Sequence, residues 1–171
     1  RARGGLGAVL RSYLGLMRNP RYLSFAATGS LSIAGLFTYI TGSSFVFIKV
    51  YDLAPSQFGM LFGANAFGLI GMAQINVRLL RHYSGRAILT VANGLYMICA
   101  GAMALVALTG LGGVAVLIIA QFCTLATLGL VLGNANAAAM AESGALRGSG
   151  SALLGVLQFT LAALASSALS A

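Results

Sequence analysis

Long uncharged apolar runs organise this chain, at residues 22–48, 53–77, 87–141 and 148–171. A helix needs about 20 residues to cross the hydrocarbon core of a bilayer. Three of the runs therefore suit one crossing each. The run over 87–141 is too long for one, and Thr109-Gly-Leu-Gly-Gly113 divides it. The pattern predicts five spans, at about 22–47, 57–77, 87–108, 114–141 and 149–171. No apolar stretch alternates with a period of two, which argues against barrel strands. The expected fold is an all-α integral membrane bundle.

Residues 1–21 read as a basic cytoplasmic or interfacial segment. Leu6, Val9, Leu10, Tyr13, Leu14 and Met17 recur at helical spacing, with Arg3, Arg11 and Arg18 on other faces. This predicts a short amphipathic helix lying in the interface, and Pro20 marks the start of the first span. The first residue is Arg and the last apolar run continues to Ala171. The expectation is a piece of a longer chain, covering 22–171 as membrane bundle. The first residues lack the compact apolar core of a signal peptide.

Composition supports this picture. Hydrophobic residues make up 59% of the chain and charged residues 7%, against about 25% charged in soluble domains. The formal charge of +8 would suggest nucleic acid in a soluble protein. Here the arginines flank apolar runs, so anionic lipid headgroups are the expected partner and nucleic acid is not. Arg1, Arg3, Arg11, Arg18, Arg21, Arg78, Arg81, Arg86 and Arg147 fall on one side of the five-span topology, and only Lys49 on the other. The positive-inside rule then predicts a cytoplasmic amino-terminal end. Cys99 and Cys123 lie inside apolar runs without metal-ligand spacing and read as packing residues.

Counting about 1.5 Å per helical residue from the loops puts Tyr39, Asn65 and Gln158 near the midplane. Polar groups there need protein, water or ligand as partners, so the three are expected to face one another across a bundle interior. Asn65 bonding a neighbouring helix backbone is the plainer alternative. Gly35, Gly42, Ser43 and Ser44 around Tyr39 could line a cavity or simply permit close packing. Gln158 shares a face with the small residues Ser151, Gly155 and Ala162. The fourth span carries Gln121, Thr124, Thr127, Asn134 and Asn136, too much polarity for a lipid-facing helix. The third offers only Asn93 and is expected to be peripheral. Gly59/Gly63 and Gly129/Gly133 have the spacing that lets helix backbones approach.

No Asp, Glu, Lys, Arg or His lies deep in a span, and His82 reads as a solvated loop residue. No nucleophile–base pair, carboxylate pair, metal cluster or phosphate loop is present, so neither catalysis nor a cofactor or metal is expected.

Tyr39-Ile-Thr-Gly-Ser-Ser-Phe-Val-Phe-Ile48, Gln57-Phe-Gly-Met-Leu-Phe-Gly-Ala-Asn-Ala66, Gly129-Leu-Val-Leu-Gly-Asn-Ala-Asn136 and Ser151-Ala-Leu-Leu-Gly-Val-Leu-Gln-Phe159 resemble, in this order, the Bcr/CflA family of drug-resistance transporters in the major facilitator superfamily. The resemblance implies the carboxyl-terminal half of a twelve-helix transporter, holding its seventh to eleventh helices. It implies export of small drug-like molecules in exchange for protons across the bacterial inner membrane. Coupling carboxylates would belong to the other half. The superfamily's Gly-x-x-x-Asp-Arg-x-Gly-Arg loop survives here only as Gly85-Arg86, with Arg78 and His82 where its first Gly and its Asp would stand. On this reading Tyr39, Phe45 and Phe47 offer aromatic surface to a substrate, and Asn65, Asn134 and Gln158 offer hydrogen bonds. The rival is a non-transporting membrane assembly subunit or an inactive transporter fragment; a membrane enzyme is more distant.

Overall fold

The computed structural model describes residues 6–170. Arg1 and Arg3 of the basic leader, and Ala171, lie outside the described residues. The described residues are almost all helical: α1 (Leu6–Met17), α2 (Pro20–Ser44) continued by a π-helical turn (Phe45–Val50), α3 (Pro55–Leu79), α4 (Gly85–Thr109), α5 (Gly113–Glu142), a 3-10 turn (Gly144–Leu146) and α6 (Arg147–Ser170). Among the described residues, five stretches are long and apolar enough to cross a membrane: Pro20–Val50, Pro55–Leu79, Gly85–Thr109, Gly113–Glu142 and Gly144–Leu169. Each overlaps one expected span. Most run slightly further, because Arg21, Arg78, Arg86 and Arg147 stay within helices, as long basic side chains at the ends of a span can. This is an all-α, multi-pass membrane protein.

Local chemistry sets the breaks. The Oδ1 of Asn19 accepts from the backbone N–H groups of Arg21 (3.1 Å) and Tyr22 (3.3 Å), capping α2. Pro20 occupies the first helical position, where a missing N–H costs nothing. The Ser84 hydroxyl accepts from the Ala87 N–H at 3.3 Å at the start of α4. Gly110 closes α4 in the left-handed conformation, φ 68°, which a glycine adopts without a Cβ penalty. The glycine-rich break foreseen at 109–113 is therefore the α4–α5 turn.

The chain forms two compact units, one comprising residues up to Phe37 and from Ala135 onward, the other Thr38–Asn134. The divisions fall inside α2 and α5. In the first unit Leu16, Tyr22, Ala26, Ala139 and Leu154 make a buried cluster, and α1 lies against α6. The Tyr22 hydroxyl donates to the Gly150 carbonyl at 2.6 Å, and Asn19 Nδ2 donates to the Glu142 carbonyl at 3.3 Å. These bonds join the start of α2 to the end of α5 and the start of α6.

In the second unit α5 meets the backbone of α3. A Cβ on Gly129 would strike the Leu69 carbonyl and come within 2.9 Å of the Ala73 nitrogen, so the approach requires glycine. One turn further, Gly133 has only the Asn76 amide at 3.8 Å, while Gly59 and Gly63 have nothing within 4 Å. Of the two glycine pairs read as packing motifs, only Gly129 is closely packed. The two helices singled out by polarity behave as the pattern suggests. In their most apolar stretches α4 is 6% buried and α5 is 56% buried.

Candidate substrate-facing site

Tyr39 and Asn65 meet within the second unit. Asn65 is ten residues into α3, about 15 Å from its start, and only 2% exposed. Its Nδ2 donates to the Tyr39 hydroxyl at 3.1 Å. The Asn65 Oδ1 is buried with no hydrogen-bond partner. Turning the amide over leaves the nitrogen orphaned instead, since an amide offers both a donor and an acceptor and one phenol satisfies only one. A buried polar atom without a partner costs on the order of 1–3 kcal/mol. The cost is offset when a donor from water or a ligand arrives.

Aromatic rings back the pair. Phe62, three residues before Asn65 and hence on the same face of α3, stacks on Tyr39 with centroids 5.6 Å apart and planes 15° from parallel. Phe58 continues the row at 6.1 Å from Phe62. Chemically the arrangement is a flat π surface beside one unsatisfied amide atom, in a segment without charge. It suits recognition of an uncharged ring or hydrogen-bonding group and supplies no acid, base or nucleophile.

Within the second unit, Phe45, Phe47 and Asn134 have surroundings of their own. Phe45 and Phe47 share the π-helical turn, yet Phe45 is 64% exposed and Phe47 is 1% exposed. Residues two apart on a helix cannot face one direction. Phe47 packs near Tyr51, with ring centroids 6.3 Å apart, so it is core and offers no aromatic surface. Asn134 donates through Nδ2 to Asn76 Oδ1 at 2.7 Å and to the Leu130 carbonyl at 2.8 Å. Asn76 is eleven residues beyond Asn65, three turns along α3, so Asn134 ties α5 to α3 well away from the Tyr39 pair. Gly85 closes that tie, since a Cβ there would sit 3.0 Å from Asn134 Oδ1. The surviving glycine of the α3–α4 loop thus has a packing reason.

Gln158 belongs to the first unit. Its Nε2 donates to Asn136 Oδ1 at 2.8 Å, and both amides crowd Gly29, where a Cβ would come within 2.8 Å of Asn136 Oδ1. On α6, of the small-residue face expected, Ala162 is buried, Gly155 is half-buried and Ser151 is exposed, while Gly150 and Leu154 are buried beside it. Sequence reasoning missed Phe62, although its spacing from Asn65 was a usable signal. It also passed over Gln121, whose Nε2 is buried without a partner. Among the described residues no group of three or more His, Cys, Asp or Glu could hold a metal ion.

Two curated proteins align with nearly the whole chain. An uncharacterized MFS-type transporter, YdgK of Bacillus subtilis (strain 168), is 29% identical over 161 residues, 94% of this chain and 40% of that protein. This chain is similar to MFS-type transporters. A bicyclomycin resistance protein homolog of Haemophilus influenzae is 26% identical over 159 residues, 93% of this chain and 40% of that protein. The chain spans about 40% of the length of these curated relatives. No protein-family model matches it, and no solved structure matches it.

Proposed function

We propose that this chain is the carboxyl-terminal half of a drug exporter of the Bcr/CflA type, working by alternating access with an amino-terminal half. Three lines support the reading: similarity to MFS-type transporters over 40% of their length, a relative named for bicyclomycin resistance, and the arginine asymmetry that favours a cytoplasmic amino-terminal end in a bacterial inner membrane. The observation that carries it is the buried Asn65 amide with one unsatisfied atom, held against Tyr39 and Phe62. A helix interior retains such an orphan where something polar visits it.

In this mechanism a drug-like molecule lays an aromatic or apolar face on the Tyr39–Phe62 stack and completes the Asn65 amide. Rocking of the two halves then exposes the molecule to the outer side. The contacts made by this half are neutral, and inward proton flow runs through carboxylates of the other half. Asn134 and Gln158, engaged with Asn76 and Asn136, serve here as ties between helices rather than as primary contacts.

The test is a drug-susceptibility panel in an efflux-deficient bacterium expressing the full-length transporter, with membrane abundance measured in parallel. One lost hydrogen bond is worth about 0.5–1.5 kcal/mol, so Asn65→Ala should weaken apparent substrate affinity by about 2- to 10-fold. Tyr39→Ala, which also removes the stacking face, should do more. Undiminished efflux in both variants at equal abundance rules out this site.

A further inference from the structure

Serine and threonine hydroxyls in these helices mostly settle on a carbonyl of their own helix, one turn back. Ser24 donates to the Arg21 carbonyl at 2.9 Å, Thr41 to that of Thr38 at 3.2 Å, Thr90 to that of Arg86 at 3.0 Å and Thr124 to that of Ala120 at 2.8 Å. Such a local bond satisfies a hydroxyl without help from another element. Ser43 forgoes it. Its side chain is 5% exposed, and its Oγ is buried without a hydrogen-bond partner. Four residues after Tyr39, it shares that residue's face of α2, and its hydroxyl lies beside the Tyr39 phenol. The same phenol accepts from Asn65 Nδ2 at 3.1 Å, and Asn65 Oδ1 is likewise buried without a partner. Two unsatisfied groups, one from α2 and one from α3, thus flank the hydroxyl of the ring that stacks on Phe62.

We propose that Ser43 is a specificity-determining contact, which with Asn65 selects a neutral group offering a hydrogen-bond donor and an acceptor on one edge, as a primary carboxamide does. The inference rests on the reading of the Tyr39–Asn65 pair as a substrate site. Counting donors and acceptors decides the ligand class. With Asn65 Nδ2 on the phenol, Asn65 Oδ1 needs a donor and the Ser43 O–H needs an acceptor. With the amide turned over, the Tyr39 O–H donates to Asn65 Oδ1, Nδ2 needs an acceptor and Ser43 Oγ takes a donor. Either way the cluster asks for one donor and one acceptor together. An ester or ketone supplies acceptors only and leaves the protein's own acceptor unpaired. The uncharged runs 22–48 and 53–77 hold no group to balance a carboxylate or an ammonium, and burying either one unpaired costs more than these bonds return. An amide edge meets both demands without charge, while its ring lies on Tyr39 and Phe62.

The experiment is fluorine NMR of the purified full-length protein in micelles, titrated with 4-fluorobenzamide and with its acceptor-only counterpart, methyl 4-fluorobenzoate. Preference is read as the ratio of the two dissociation constants, so partition into detergent cancels when variants are compared. One hydrogen bond is worth about 2- to 10-fold in binding, and Ser43→Ala and Asn65→Leu should each lower the preference for the amide by that factor. Ser43→Ala gives up no bond within the protein, so its thermal midpoint should equal or exceed that of the wild type. Tyr39→Ala, which removes the ring face, should weaken both compounds. An unchanged preference in Ser43→Ala overturns the proposal, as does a clear fall in its midpoint, which ties the hydroxyl to a structural bond instead. No binding of 4-fluorobenzamide to the wild type at millimolar concentration overturns it too. Weakened binding of both compounds in Tyr39→Ala beside an unchanged preference in Ser43→Ala keeps the substrate site and removes Ser43 from it, whereas full affinity for both in Tyr39→Ala removes the site itself.

Discussion

Gly129→Ala adds one methyl group where α5 has no room for it. The new Cβ would meet the Leu69 carbonyl, the Ala73 nitrogen at 2.9 Å and the Met72 Cβ at 3.1 Å. Two of these are backbone atoms of a helix interior, so relief requires α3 and α5 to separate. Overpacking of this kind costs about 1–3 kcal/mol, with the upper end expected because no flexible side chain can yield. Replacing glycine by alanine in a helix returns up to about 1 kcal/mol through propensity. The net expectation is a loss of about 2 kcal/mol, roughly 30-fold in the folding equilibrium constant. Gly133→Ala, one turn along the same helix, supplies the control. Its Cβ would have a single ordinary contact at 3.8 Å, so the propensity gain of about 0.4–1 kcal/mol stands alone. Reversible unfolding of the full-length protein in mixed micelles, followed by far-ultraviolet circular dichroism, should order the proteins Gly133→Ala, wild type, Gly129→Ala. Equal stability of the two variants refutes the close approach at Gly129.

The Asn76–Asn134 tie should show as coupling. Asn134→Leu leaves Asn76 buried with its amide unpaired and should cost about 1–2 kcal/mol, whereas adding Asn76→Leu should recover part of the loss. A double-mutant cycle with coupling of about 0.6–1.7 kcal/mol agrees with the bond, and simple additivity refutes it. Tyr22→Phe removes the 2.6 Å bond to the Gly150 carbonyl and should cost about 1 kcal/mol. Faster amide hydrogen exchange around Gly150–Leu154 is the expected sign, and unaltered protection there contradicts it.

Element order and class were legible because length and apolarity decide them. Four uncharged runs, the longest of them divided at Thr109–Gly113, leave little alternative to five spans. Degree of burial was legible for the same reason: α4 has almost no polar side chain to hide, and α5 has five. Rotation about the helix axes was not. Polar residues on α5 at 121, 124, 127, 134 and 136 follow no single stripe, so no face is marked as inward. Depth counted from the loops placed Tyr39 and Asn65 at one level, and they meet. Nothing in the pattern said that Asn134 would reach Asn76 or that Gln158 would reach Asn136. The division between Phe45 and Phe47 could have been read, because a two-residue separation already puts them on different sides of a helix.

The π-helical turn at Phe45–Val50, closed by the Tyr51 N–H on the Val46 carbonyl at 3.1 Å, holds one residue more than an α-helical turn requires. That residue is slack. Deleting it lets the turn tighten into ordinary helix while Tyr39 and everything before it keep their places. Between Asn65 and Leu69 there is no such reserve. A deletion there turns Asn65 by about 100° relative to the Leu69–Ala73 stretch that Gly129 holds. Chain length near the Tyr39–Asn65 pair is therefore adjustable on the tyrosine's side and locked on the asparagine's.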